Sequence, residues 1–406
     1  MHTDSDRETE TAADIGGRLA AAAAADPALR ARLEGAGVRC EDVTSPADLA
    51  AVPVQSKDER VAERAHVLTG AAPKRIFQSP GPIYEAQPAG EDPWRWGEAL
   101  TSAGLRPGDV VLNCFGYHLS PAGAMFDEAI ITAGGTVVPA GIGNQQLQVD
   151  AIRDLGARGY VGLPSYLKAL IDLHLETGGT AEDFPVAYAL VTAEPLPDSL
   201  RAELERCVPA VRMAYGSAEA GLIAYEDGTG PGMVTGTGID VSVCDLGTGE
   251  PRDAGEGEVV VTLVRETAPL VRFGTGDLSA WVTDAGGAPV TTPDGRRRLA
   301  GVLGRTGQAV KVRGMFLHPA QIRSLLEAVA EVQALRFVID RAEHRDTVVC
   351  EAVPAVRDTG EQGAGDDAVR SALAEHIRSR LRFRAEVRIV TELAGEELIC
   401  DLRTWD

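Results

Sequence analysis

Lysine is scarce in this 406-residue chain: Lys57, Lys74, Lys168 and Lys311 are its only occurrences, and nearly all other basic side chains are arginine. With abundant alanine and glycine, that bias suggests a GC-rich bacterial genome. Basic charge of either kind is in deficit, since 39 Lys and Arg face 60 Asp and Glu, giving a net charge of -21. A field of that sign repels a phosphate backbone and an anionic membrane surface, so neither nucleic acid nor membrane is an expected partner. An anionic nucleotide is not excluded, because Mg²⁺ and local backbone dipoles can reverse the potential inside a single cleft.

Cysteine is sparse as well. Cys40, Cys114, Cys207, Cys244, Cys350 and Cys400 are widely spread and form no C-x-x-C pair, which argues against a disulfide scaffold or a zinc ribbon and for a reducing compartment. No apolar run approaches the length of a membrane span, and Met1–Glu10 lacks the basic start and apolar stretch of a signal peptide. The expectation is a cytoplasmic protein. Internal repeats are lacking too. What is present, 44% hydrophobic and 24% charged residues, is enough to bury a real core, and the length exceeds what one core usually holds.

Residues 13–36 are Ala-rich with Leu19, Leu29 and Leu33 at near-helical spacing, and Asp26-Pro27 divides them into two short helices. From Asp109 onward, VVLNCF (110–115), TVVPAG (136–141), GYVGLP (159–164) and AYALVT (187–192) alternate with helical stretches such as 147–156 and 165–176, the pattern of an α/β sheet with crossover helices. The texture turns β-rich beyond residue 232, with IDVSVCD (239–245), GEVVVTLV (257–264) and SAWVTD (279–284) predicted as strands of an antiparallel subdomain. The tail predicts a helix over 319–329, strands at 335–340, 347–353 and 386–390, a helix over 366–381, and a mobile polar loop over 357–367. The fold class is therefore α/β: a large N-terminal domain over 1–303, with a helical segment at about 13–60 and a β-rich subdomain at about 232–300, and a small mobile α+β domain over 304–406.

Three motifs occur in order: AYGSAEAG (214–221), placed after a short apolar strand, VRFGTGDL (271–278), and GRTGQAVKVRGMFLHPAQI (304–322). Together they resemble the adenylate-forming superfamily of acyl-CoA ligases and adenylation domains. VPVQSKDER (52–60), GDVVLNCFGYHLSPAG (108–123) and GGTVVPAG (134–141) narrow the resemblance to phenylacetate-CoA ligase-like members, from about Arg18 to Arg403. The resemblance implies ATP or AMP, Mg²⁺ and CoA as cofactors, and a mobile lid hinged at Gly304–Gly307 over a cleft. It also assigns roles. Tyr215 would stack on adenine, with Gly216 beside it. Ser217 would bond the α-phosphate and Glu219 would hold Mg²⁺. Asp277 would accept the ribose hydroxyls, and Arg305 would join the nucleotide site. Tyr117, His118, Ser120, Gly123, Gly141, Ala193 and Glu194 would line the acyl pocket, with His118 either gating the carboxylate or serving as a half-buried structural histidine. Lys57, beside Asp58 and Glu59, reads as a surface ion pair.

The pattern also breaks. Relatives carry a Ser/Thr/Gly-rich phosphate loop ending in lysine, where this chain has FQSPGPIY (77–84), with two prolines that donate no N–H and no following lysine. Glu396 and Glu397 stand where the resemblance expects the C-terminal lysine that bridges the attacking carboxylate and the α-phosphate, leaving Arg403 as the nearest strong cation. Gly274 replaces an arginine, and Gly307 an Asp or Lys. Three readings follow. The first is a ligase that makes an acyl-AMP from a small, aromatic or heteroaromatic acid and passes it to CoA or a carrier-protein thiol. The second is a divergent enzyme acting on preformed acyl-AMP or thioester, or forming an amide or other bond in secondary metabolism. The third is a non-catalytic adenylate-binding homologue. The acyl acid, the acceptor, and whether the chain is a monomer or a homodimer stay open.

Overall fold

The computed structural model describes residues 15–62, 73–79, 83–265, 268–306, 310–313, 315–317, 319–329, 331–342, 345–355, 362–381, 383–395 and 397–403. Pro80, Gly81, Pro82, Gly307, Glu396 and the segment Met1–Glu10 lie outside them. Backbone contacts divide the chain into two units, Met1–Ala193 with Glu203–Thr306, and Glu194–Ala202 with Gly307–Asp406.

The first unit opens with α1 (Ile15–Ala25) and α2 (Pro27–Gly35). The Asp26 side chain caps α2 by accepting from Ala28 N and Leu29 N, and Pro27 suits the first helical position because no N–H is needed there. Then come α3 (Lys57–Ala62) and the hairpin β1 (Ile76–Ser79) and β2 (Ile83–Ala86), which pair antiparallel from Ile76↔Ala86 to Ser79↔Ile83. The α/β layer follows: α4 (Trp96–Ala103), β3 (Val110–Asn113), α5 (Ala122–Thr132), β4 (Thr136–Pro139), α6 (Gln145–Leu155), β5 (Gly159–Gly162), α7 (Pro164–Glu176), β6 (Tyr188–Val191) and β7 (Ala210–Ser217), while α8 (Asp198–Leu204), between β6 and β7 in sequence, groups for the most part with the second unit. β5 and β6 are buried at every position, as parallel strands covered by helices on both faces must be.

Next are β8 (Gly221–Tyr225), β9 (Met233–Thr235), β10 (Asp240–Cys244), β11 (Glu256–Leu263), β12 (Leu270–Ala280), β13 (Arg298–Leu299) and β14 (Gly304–Arg305). An eight-stranded sheet runs β13-β9-β8-β7-β6-β5-β3-β4, and a four-stranded one runs β10-β11-β12-β14. So β9 and β13, within the stretch read as a separate β-rich subdomain, extend the α/β sheet instead. Tyr215, Gly216 and Ser217 lie within β7 rather than after a strand. The reason is that β7 is long enough to pair parallel with β6 over Ala210–Met213 and then antiparallel with β8 from Ala214. SAWVTD is not one strand either: β12 ends at Ala280, and Trp281 and Thr283 make isolated bridges.

The second unit has β15 (Val310–Val312), β16 (Met315–Leu317), α9 (Pro319–Ala328), β17 (Val332–Ala342), β18 (Arg345–Pro354), α10 (Gln362–His376), β19 (Glu386–Ile389) and β20 (Ile399–Asp401). A sheet ordered β19-β18-β17-β20 carries a core built on Ile322, Leu325, Phe337, Cys350, Leu373 and Ile377. Of the polar loop expected over 357–367, the part from Gln362 onward is helical, within α10, and 357–361 lie outside the described residues.

Candidate functional site

In the large sheet, β4, β3, β5, β6 and β7 are parallel neighbours in that order. The chain leaves β3 for β4 on one side and returns from β4 to β5 on the other, so strand order reverses beside β3. Ligands of open α/β sheets bind outside the carboxyl ends of the strands at such a point. Asn113, the last residue of β3, organises this end. Its buried side chain donates to Gly123 O and to Asp127 Oδ1, both at 2.9 Å, and accepts from Phe115 N, while its carbonyl receives Gly141 N at 3.0 Å. Tyr117 Oη donates to the same Asp127 oxygen at 2.7 Å, and burial first and that carboxylate second push its phenol well above the ordinary range. Gly123 is required here: a Cβ would stand 2.9 Å from the Tyr117 ring and from Gly116 O. Gly141 adopts φ +66, a conformation a side chain would strain.

The remaining acyl-pocket candidates are placed less tightly. His118 is exposed, and no described residue bonds its ring; its carbonyl accepts Ser120 N at 2.7 Å. Leu119, at φ 62, receives Gln78 N at 2.8 Å on its carbonyl, tying the β1–β2 hairpin to this loop. Ala193 takes φ 74 just beyond β6, and the buried Glu194 begins the segment that groups with the second unit.

A second constellation forms on β7, β12 and β14. A register shift in the β11–β12 pairing, between Glu258 and Val260, makes a bulge at Thr275-Gly276-Asp277. Bulges of this kind re-aim side chains beside functional sites. Gly276 at φ +75 donates to Glu258 Oε1 at 2.9 Å, and Thr275 Oγ1 donates to Val259 O at 2.8 Å while receiving Asp277 N. Gly274 belongs to the same packing, because a Cβ there would meet Glu258 Oε1 at 2.6 Å. Asp277 is thereby fixed. It accepts from Tyr215 Oη at 2.9 Å on Oδ2, and its Oδ1 lies 2.8 Å from the Arg305 guanidinium in an ion pair lacking hydrogen-bond geometry. Tyr215 itself is only 7% exposed, within the core of Phe273, Val243 and Trp281.

Glu219, in the turn between β7 and β8, is buried. Lys57 Nζ stands 3.4 Å from its Oε1, and Arg265 donates to its carbonyl oxygen at 2.8 Å. Burial raises the proton affinity of Glu219, but Lys57, hydrogen bonds from its own backbone and Ser217, and Arg60 outweigh it and hold the carboxyl below its usual range. Lys57 is thus more than the surface pair with its sequence neighbours that the sequence suggests. The α3 helix carries its half-buried ammonium to Glu219, a partner 162 positions away that sequence adjacency could not reveal. Glu85 on β2 is a further buried carboxylate that the sequence reading missed, as it missed Asn113, Asp127 and Arg265. A polar residue ending an apolar strand was the available signal for Asn113; an acid in the short strand IYEA carried none. Burial and, next, the charge of Glu219 raise Glu85, against Arg60, Lys57 and Arg265. Burial and the neighbouring Arg95 and Arg60 bring Arg265 down to about 9. In the tail, Glu397 is exposed, whereas the Arg403 side chain is 7% exposed and bound to Asp346 at 3.0 Å and to Asp401 at 2.7 Å.

The family model for AMP-binding enzymes matches residues 96–263, which carry the acyl loop, β7 and Glu219. The chain is 27% identical to a phenylacetate-coenzyme A ligase of Thermus thermophilus over 73% of this chain and 69% of that one. It is 24% identical to the phenylacetate-coenzyme A ligase of Aromatoleum evansii over 92% of this chain and 87% of that relative. Among solved structures, 2-hydroxyisobutyryl-CoA ligase in complex with 2-HIB-AMP and CoA shares the fold with a TM-score of 0.84 and 21% identity, covering 99% of this chain and 91% of that chain. The chain is thus similar to the adenylate-forming enzymes, and among them to phenylacetate-CoA ligases.

Proposed function

We propose that this acyl-CoA ligase-like enzyme joins a small, flat or branched carboxylic acid, aromatic or heteroaromatic by preference, to a thiol through an acyl-AMP. The observation that carries this reading is the bulge-held Asp277, whose Oδ1 is buried yet accepts no hydrogen bond. A carboxylate oxygen has two lone pairs, and the ion pair with Arg305 leaves room for a ribose hydroxyl to donate to Oδ1. Tyr215 and Arg305 hold that carboxylate in place. Ser217 contributes a hydroxyl toward the α-phosphate. The small residues Gly123 and Gly141 leave space beside Tyr117, His118 and Ser120 for the acyl group.

In the first half-reaction the acid's carboxylate oxygen bonds to the α-phosphorus of ATP and the bond to pyrophosphate breaks. In the second, the thiol sulfur of CoA, or of a carrier protein, bonds to the acyl carbon and AMP leaves with the electron pair. Glu219 suits Mg²⁺: its Oε2 is a buried, hard oxygen without a hydrogen-bond partner, and Mg²⁺ commonly takes one or two carboxylates, its other positions going to water and phosphate. When bound, that ion supplies charge neutralisation on phosphate oxygens. Among the described residues no group of three or more His, Cys, Asp and Glu gathers as a larger metal centre.

A specific observation favours the second reading, action on a preformed acyl-AMP. Arg403 is pinned by two carboxylates and so is a poor stand-in for the mobile lysine, and Glu397 offers the wrong charge. Incubating the protein with ATP, CoA and a panel of carboxylic acids tests the proposal. Acid-dependent AMP release supports it, and no release with any acid, alongside consumption of synthetic acyl-AMP, supports the second reading instead.

A further inference from the structure

The hydroxyl of Tyr117 decides where its ring stands. The residue is 36% exposed, so packing does not fix the ring on every side, and the phenol donates to Asp127 Oδ1 at 2.7 Å. That oxygen also receives Asn113 Nδ2 at 2.9 Å, and the same amide nitrogen donates to Gly123 O, so the acceptor is itself held. Gly123 and Asp127 lie one turn apart on α5, the spacing that puts both on one helix face. Held from that face, the ring spans a gap: a Cβ on Gly123 would meet its Cδ1 at 2.9 Å, and one on Gly141 would touch its Cδ2 at 3.8 Å. The ring therefore takes up room that the two glycines leave. Its hydroxyl proton is committed to Asp127, so what it presents to a neighbour is apolar ring.

We infer that Asp127 is a positioning residue that sets which acids the enzyme takes. By latching Tyr117 across the gap between Gly123 and Gly141, it confines the acyl group to a small apolar acid and shuts out longer or bulkier ones. This rests on the acyl-pocket role proposed above for Tyr117. Without the bond, a tyrosine exposed on one side can swing to another rotamer and open the gap.

Non-hydrolysable acyl sulfamoyl adenosines graded from acetyl through benzoyl to naphthylacetyl, titrated calorimetrically into the full-length protein beside AMP, test the latch whichever half-reaction the enzyme performs. Wild type should prefer the benzoyl analogue to the naphthylacetyl one. Asp127→Ala and Tyr117→Phe should each shift that ratio toward naphthylacetyl by about tenfold, the scale of one lost hydrogen bond to a charged group. The double variant should shift it no further, because both changes delete the same bond. Asp127→Asn, which keeps an acceptor for the phenol, should retain the wild-type preference. An unchanged ratio in Asp127→Ala, additive shifts in the double variant, or a shift in Asp127→Asn as large as in Asp127→Ala overturns the latch. Tyr117→Ala separates the latch from the reading beneath it. If deleting the ring leaves the ratio unmoved, Tyr117 does not face the acyl group and both fall; if it moves the ratio and Asp127→Ala does not, the latch alone falls. No binding of any analogue by wild type overturns both. Equal weakening of AMP and every analogue in Asp127→Ala is a general disturbance and counts against the latch. Should that variant not fold, Tyr117→Phe, which keeps the ring, carries the test, and an unmoved ratio there overturns the latch.

Discussion

Asp277 shows how one side chain depends on several layers of structure. The β11–β12 register shift supplies the turn, Thr275 bonds its amide, and Tyr215 and Arg305 aim its two oxygens. If Oδ1 receives a ribose hydroxyl, Asp277→Ala should weaken AMP or acyl-adenylate binding by about 1.5–3 kcal/mol, the range for a hydrogen bond to a charged group. Isothermal titration of the folded variant measures this directly, and an affinity equal to wild type removes Asp277 from the ribose site. Tyr215→Phe is the companion measurement: it deletes the 2.9 Å bond to Oδ2 while keeping the ring, so a smaller loss there separates positioning of the carboxylate from stacking.

The helix α4 carries a pH dependence of its own. Asp92 accepts from Gly97 N at 2.6 Å and Trp96 N at 3.1 Å, satisfying first-turn donors, and Gly97 permits the approach because a Cβ there would lie 2.8 Å from Oδ2. Burial nevertheless wins over those bonds and over Arg95, raising the carboxyl to about 6. The sign follows: the folded state holds the proton more tightly than the unfolded chain, so this contribution to stability is complete below about pH 4 and is lost as pH rises through about 6. Asp92→Asn keeps one acceptor and cannot ionise. Relative to wild type it should gain about 2–3 kcal/mol of unfolding free energy on going from pH 4 to pH 7.5, read from urea melts. Parallel pH profiles for the two proteins would mean that Asp92 titrates normally.

At the scale of the whole molecule the question is which half-reaction the chain performs. Asp277, Tyr215 and Glu219, proposed above for the nucleotide, are held firmly in the first unit, while in the second Glu397 is exposed and Arg403 is pinned, so neither supplies a mobile cation. If adenylation is merely weakened by that loss, Glu397→Lys should raise acyl-AMP formation from ATP by about tenfold or more, the scale of a restored transition-state charge. If the enzyme takes preformed acyl-AMP, wild type should consume synthetic acyl-AMP faster than it makes any, and the lysine variant should gain little. Rapid quench measurement of both half-reactions in both proteins decides it; fast adenylation by wild type would show that the missing lysine does not matter here.

The order of motifs, the alternation of apolar runs with helical stretches, and the break between two helices at Asp26-Pro27 were legible from the chain because they are local: each is a period, a spacing or a turn residue. Tyr215, Ser217, Glu219 and Asp277 could be named as candidates only through the family resemblance that the local motifs carry. What local pattern could not give was who meets whom. That β7 pairs parallel on one half and antiparallel on the other, that β9 and β13 join the large sheet, and that Lys57 reaches Glu219 depend on contacts across long sequence separations. Burial sets the electrostatics in the same way. The sequence alone determined a set of charges and their signs; only the tertiary structure, by burying Glu219 beside Lys57 and leaving one of its oxygens without a donor, decided which of those charges is withdrawn from water.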